Sequence, residues 1–90
     1  MMNMLNKFDL MRDVFFKYDP ANLGVKENNL KDEYDGEIEL IIGNIENLED
    51  SKESVIELLN FVFDDFFYQD FVDFNNHLDL VGEIYNIIYS

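Results

Sequence analysis

The stretch DSKESVIELLNFVFDDF, residues 50–66, decides the fold. Val55, Leu58, Leu59, Val62 and Phe66 recur at helical spacing, while Glu53, Glu57, Asn60 and Asp64 recur at steps of 4, 3 and 4 on the opposite side. Two such stripes on one run predict an amphipathic helix with one buried face and one acidic face. Asp50 and Glu53 have the spacing of a capping box, with Ser51 as the alternative cap, so the helix is expected to start there. Its end is unmarked, because no Gly or Pro interrupts residues 61–74.

Toward the N-terminus, Tyr34, Ile38, Ile41, Ile45 and Leu48 share a face, with Ile42 beside them, and predict a helix over Leu30–Leu48. Asn28 or Asn29 would cap it, and its acidic first turn (Asp32, Glu33, Asp35) suits the helix dipole. Gly36 and Gly43 each weaken it by about 1 kcal/mol relative to alanine and mark points where a neighbour can pack closely. A first helix is expected over Met4–Tyr18, with Met4, Phe8, Met11, Phe15 and Tyr18 in one stripe widened by Leu5 and Val14. Pro20 ends it, Asp19 is its stop, and Gly24 is free to take a positive φ in the turn that follows.

Toward the C-terminus, a last helix is expected over Asn76–Tyr89, capped by Asn75 or Asn76. Leu78, Val81, Tyr85 and Ile88 would face inward, and Leu80, Ile84 and Ile87 would add width. Four helical periods with short connectors predict an all-α fold, a compact bundle of about four helices in one domain. A chain of 90 residues buries only about 60–65% of its unfolded surface. Here 48% hydrophobic and 16% aromatic residues supply that core and exclude a disordered acidic tail. Lys7, Asp9, Arg12 and Asp13 break the N-terminal region, so neither a signal-peptide core nor a membrane span of about 20 residues is expected there. With no cysteine, the composition suits a reducing compartment, and the chain is expected to be soluble and cytoplasmic.

Enzymatic chemistry lacks its parts. There is one histidine, His77, expected in the first turn of a helix, and the serines are Ser51, Ser54 and Ser90, without a glycine-rich turn to build an oxyanion site. A calcium loop begun at Asp19 places Gly24 correctly at its sixth position. It also puts Ala21, Leu23 and Leu30 where oxygen ligands are required. No enzyme activity, metal or cofactor is therefore expected.

Charge is the sequence's other signal. From residue 32 onward sixteen Asp and Glu face a single basic residue, Lys52, and the chain carries a net charge of −14. Direct nucleic-acid binding is opposed by this field, since phosphate contacts need Lys and Arg. The expected partner is a basic protein, either a toxin or a nucleic-acid enzyme whose site is occupied by a phosphate mimic. Residues 61–74 add seven aromatics (Phe61, Phe63, Phe66, Phe67, Tyr68, Phe71, Phe74) and four aspartates. One helical face cannot bury all seven rings. Phe67, Tyr68 or Phe71 left beside the aspartates would make aromatic anchors with an acidic rim. The candidate partner-binding residues are therefore Glu53, Glu57, Asp64, Asp65, Tyr68, Asp70 and Asp73. A homodimer seam, in a small structural domain with no inhibitory role, would satisfy the same aromatics.

Tyr18-Asp19-Pro20, then Leu23-Gly24, then Asp32-Glu33-Tyr34-Asp35 and Ile38 resemble a group of small bacterial proteins of unknown function. Those proteins carry an aromatic-Asp-Pro motif, a hydrophobic-Gly step and an acidic-Glu-Tyr-Asp motif entering a helix. The resemblance covers about residues 15–48. It implies an all-helical fold and, by association, an immunity partner in a bacterial toxin system; it brings no catalytic residues. This chain departs from the group in its poverty of basic residues and in the aromatic stretch 61–74. Physically, Asp19-Pro20 and Gly24 read as turn-makers and Tyr34 as a buried anchor.

Overall fold

Four amphipathic segments bury their stripes against one another in a computed structural model that describes residues 4–90, with side chains from residue 6 onward. They are α1 (Met4–Tyr18), α2 (Asp35–Gly43), α3 (Lys52–Phe66) and α4 (Leu78–Ile88), with 3-10 turns at Ile45–Asn47 and Phe74–Asn76. No strand occurs among the described residues, and the all-α bundle expected from the periodicity is what forms. The helices close a ring in which α1 packs on α2 and α4, and α3 packs on the same two.

The centre of the ring is aromatic. Phe15 of α1 stacks on Tyr34 at 5.5 Å and on Phe63 of α3 at 5.8 Å, and Phe74 meets Phe63 edge-on at 4.9 Å. Phe15, Phe63 and Phe74 have no exposed surface, and full burial of each such side chain is worth about 1.5–3 kcal/mol. Around them Met11, Val25, Ile38, Ile41, Val55, Leu59, Val62, Leu80 and Ile84 are also fully enclosed. In α1 the expected stripe holds at Met11, Val14 and Phe15, with Phe8 and Tyr18 packed at its edges. The side chains of Met4 and Leu5, assigned to the same stripe, lie outside the described ones.

Several sequence expectations are corrected. The second helix is much shorter than Leu30–Leu48. Residues 31–34 form turns because Tyr34 is drawn away to the loop before it, and neither Asn28 nor Asn29 is a helix cap. Asn29 instead takes φ +53, and the Asn28 side-chain amide donates to the Gly24 carbonyl at 2.9 Å. At the other end Asn44 stops the helix, its side-chain amide donating to the Leu40 carbonyl at 2.8 Å, in competition with the backbone ladder. Ile45 and Leu48 therefore pack only partly, from the turn beyond.

Helix α3 is capped by Ser51, whose hydroxyl accepts the Ser54 N–H at 3.1 Å; Asp50 instead accepts the Tyr85 hydroxyl. Phe66 is 45% exposed rather than buried in the stripe, because it sits on the last turn and overhangs α2. The ring lies so close to Gly36 that a Cβ there would come within 2.9 Å of it. The close approach expected at the α2 glycines thus occurs at Gly36; a Cβ on Gly43 would meet nothing. In α4 the inward positions are Leu80, Val81, Ile84 and Ile88, and Leu78 is 62% exposed. The buried face is rotated from the expected one, and His77, not Asn75 or Asn76, precedes the first helical residue. The two asparagines lie in the 3-10 turn, which Asp73 caps through the Asn75 N–H at 3.0 Å.

Candidate functional site: an acidic face on α3 and the loop behind it

Seven of the fourteen residues from 61 to 74 are aromatic, and the structure disposes of them by leaving the helix. Helix α3 stops at Phe66 without Gly or Pro, and the chain doubles back along it. Two polar side chains hold the return: Asn60 accepts the Phe74 N–H at 2.8 Å, and Asp64 accepts the Asp70 N–H at 3.0 Å. The rings then form a ladder from core to surface. Phe63 touches Phe67 at 5.7 Å, Phe67 touches Phe71 at 4.9 Å, and Phe71 touches Tyr68 at 4.6 Å. Burial falls along it, from the enclosed Phe63 through the half-buried Phe67 and Phe71 to Tyr68, 63% exposed.

The seven candidate residues fall into two groups joined only by α3. Glu53 and Glu57 are exposed on successive turns and line one wall of a groove. Asp65, Tyr68, Asp70 and Asp73 are exposed around the turn after the helix. Asp64 is half-buried and its carboxylate is engaged by the Asp70 N–H, so its main role is to hold the loop. Asp73 also serves the local fold. The Asn75 N–H and side-chain amide, the latter at 2.9 Å, keep its carboxyl below the usual range. Asp70 takes φ +63, the left-handed conformation that lets the loop reverse over Asp64.

Phe61 is the residue that the helical reading left unplaced. It is 58% exposed on the outer side of α3, one turn after Glu57 and opposite the buried stripe. The signal was present in the sequence: Phe61 lies four residues after Glu57, and four continues the spacing of the acidic face, not of Leu58 and Val62.

The field over this surface is set by where the cations go. Each of the six basic side chains has a partner within the molecule. Lys7 is buried and donates to the Ile88 carbonyl at 2.6 Å, closing the C-terminus of α4. Lys26 does the same for α1 through the Lys17 carbonyl at 2.7 Å. Arg12 pairs with Asp35, its Nε 3.0 Å from the carboxylate, and Lys17 pairs with Glu83 at 3.0 Å, where the Tyr18 hydroxyl also donates. Lys31 lies over the Phe16 ring at 6.0 Å and Lys52 over Tyr85 at 5.9 Å. With ion pairs only at Asp35 and Glu83 among the described residues, eighteen of the twenty acidic residues have no paired cation.

The Asp-Pro and Glu-Tyr-Asp segments belong to a different construction. Asp19 ends α1 with φ +45, a left-handed turn rather than the extended backbone usual before proline. Its carboxylate accepts the N–H groups of Leu23 at 2.9 Å, Gly24 at 2.9 Å and Val25 at 3.4 Å, and the Tyr34 hydroxyl at 2.6 Å. Burial alone would raise the Asp19 pKa, but these four donors outweigh it and hold the carboxyl below its ordinary value. Tyr34, 3% exposed, in turn accepts the Ala21 N–H at 3.0 Å, and burial pushes its hydroxyl far upward. These segments are a loop clasp that fixes α1 against α2, as the turn-maker reading expects. Gly24 takes its expected positive φ, +72.

Among the described residues no group of three His, Asp or Glu side chains converges in a way that would hold a metal ion. No helix there is long and apolar enough to cross a membrane. Comparison of the chain with family models, with curated proteins and with solved structures gives no match.

Proposed function

We propose that this chain is a non-enzymatic acidic binding protein that covers a basic surface on another protein, acting in the cytoplasm as an immunity protein against a basic toxin such as a nuclease. The observation that carries the reading is the engagement of all six basic side chains within the fold, which leaves eighteen carboxylates without a paired cation among the described residues. A field of this sign and size accelerates association with a cationic partner by about ten- to a thousandfold. Exposed Phe61 and Tyr68 beside Glu57, Asp65 and Asp70 supply the apolar contact that slows dissociation.

The experiment is charge reversal at Glu53, Glu57 and Asp65, leaving Asp64 intact because it holds the loop. Binding to a panel of basic bacterial nuclease domains is measured at two salt concentrations. The reading expects at least one nuclease to be bound and inhibited, with an affinity that falls with salt and falls further in the triple lysine variant. Unchanged affinity and unchanged salt dependence would sink the assignment of this face. Competition by DNA or RNA separates a nucleic-acid mimic from an inhibitor docked beside the active site: only the mimic is displaced.

A further inference from the structure

We propose that the groove between the 44–51 connection and α3 is the seat for a basic amphipathic segment of the partner, with one apolar side chain lodged against Phe61. The proposal rests on the basic-partner reading and adds which part of the surface makes the specific contact. The groove has a volume of about 500 Å³, within the range of sites that receive side chains or ligands. Leu48, Leu58 and Phe61 give it an apolar lining, and Glu49, Glu53 and Glu57 give it an anionic rim. Phe61 is more than half exposed on the face opposite the core stripe. Burial inside its own fold therefore does not account for the ring.

The groove is also held open in advance. The Tyr89 hydroxyl donates to the Glu49 carbonyl at 2.7 Å and the Tyr85 hydroxyl donates to Asp50, so α4 clamps the far wall. Ser51 fixes the same wall to the first turn of α3. A wall that is already ordered loses little freedom on binding. Charge selects the occupant. No basic residue lines the groove, and the nearest one in sequence, Lys52, extends over Tyr85. A segment bearing Lys or Arg on either side of an apolar anchor complements the rim. A second copy of this chain, at −14, would be repelled from it.

The test uses the whole protein with two fluorescent probes: a helical peptide patterned with Lys and Leu, and an oligolysine of equal charge. Each is titrated by anisotropy against the wild type, Phe61→Ser and Leu78→Ser; both substitutions are at exposed positions, and circular dichroism checks the folds. The Lys-Leu peptide is expected to bind at least about tenfold tighter than oligolysine. Phe61→Ser should remove that margin and Leu78→Ser, outside the groove, should preserve it. Backbone amide shifts on binding should concentrate at Leu48, Ser54 and Glu57. Equal affinity for the two probes, or loss of the margin in Leu78→Ser instead, would overturn the groove while leaving the basic-partner reading in place. Failure of both probes to bind at low ionic strength would overturn both.

Discussion

A single carboxylate, that of Asp19, determines how α1 is joined to α2. It accepts three backbone N–H groups and the Tyr34 hydroxyl, and it does so from a left-handed backbone that costs about 1–3 kcal/mol unless its surroundings enforce it. Asp19→Ala is expected to destabilise the fold by about 2–3 kcal/mol, since hydrogen bonds to a charged group are lost and several donors are orphaned at once. Tyr34→Phe should cost less, about 1–2 kcal/mol, because the ring stays packed on Phe15 and only the bridge from Ala21 to Asp19 is lost. Equilibrium urea unfolding measures both. If Asp19→Ala were neutral, the clasp would be incidental to stability. Gly36 supplies a sharper test. Alanine there gains about 1 kcal/mol of helix propensity but drives its methyl into the Phe66 ring. Gly36→Ala is therefore expected to destabilise the wild type and to stabilise Phe66→Ala, a sign change that a double-mutant cycle would detect. Additive effects would mean that the overlap is relieved freely by the half-exposed ring. Of these residue-scale devices, the positive φ at Gly24 and the burial of Tyr34 were legible in the sequence. The Asp19 clasp was not, because its donors come from residues four to fifteen positions later and are assembled only by the turn.

At the scale of elements, periodicity located all four helices and placed Phe15, Val55, Leu59 and Val62 in the core, but it put Phe66 in the α3 stripe where Phe63 is the enclosed ring. It misjudged both ends of α2 and the start of α4, and it left the end of α3 open. Asn44 shortens α2 by bonding back to Leu40, and Asn60 and Asp64 hold the chain that returns after α3 by accepting its N–H groups. Sequence spacing assigned Asn60 and Asp64 to an exposed acidic face. It has no means of showing that a loop will come back to them. Helix α4 likewise starts later than expected, because a 3-10 turn at Phe74–Asn76, capped by Asp73, precedes it. Removing the two staples together, Asn60→Ala with Asp64→Ala, is expected to release residues 67–73 while the helices persist. The Phe74 and Asp70 amides should exchange with solvent at least about tenfold faster, with helical circular dichroism preserved, as local opening without global unfolding requires. Unaltered exchange at both amides would show that the aromatic ladder holds the loop by itself.

Across the whole molecule, the charge inequality becomes an arrangement. The few cations close helix ends, clip α1 to α2 and α4, or cover rings, and most of the remaining carboxylates are exposed; Glu37 is buried and Asp64 half-buried. Two inward-held carboxyls tell on stability in opposite directions. Glu37, 5% exposed, is pushed above the usual range by burial and by the neighbouring charges of Glu33 and Asp35. Its ionised form opposes folding, and that cost is relieved as pH falls through its raised value. Asp19 is shifted down, so its contribution survives until the pH falls through a value below the ordinary one. Stability is thus expected to rise as pH falls from 7 toward the ordinary glutamate range and to fall again as pH drops below the ordinary aspartate range, about pH 4. Added salt at pH 7 should stabilise by screening. Denaturant midpoints across pH measure this, and Glu37→Gln should flatten the upper limb; a steady decline from pH 7 to 5 would contradict the account. The proposed role of this acidic surface is to meet a basic protein. Its direct measurement is the affinity of the wild type and of the Glu53→Lys, Glu57→Lys, Asp65→Lys variant for basic nuclease domains, between about 50 and about 300 mM salt. The account expects tight, inhibitory, salt-sensitive binding by the wild type that the triple variant loses. Binding that is absent throughout, or equal in both proteins at both salt concentrations, would contradict it.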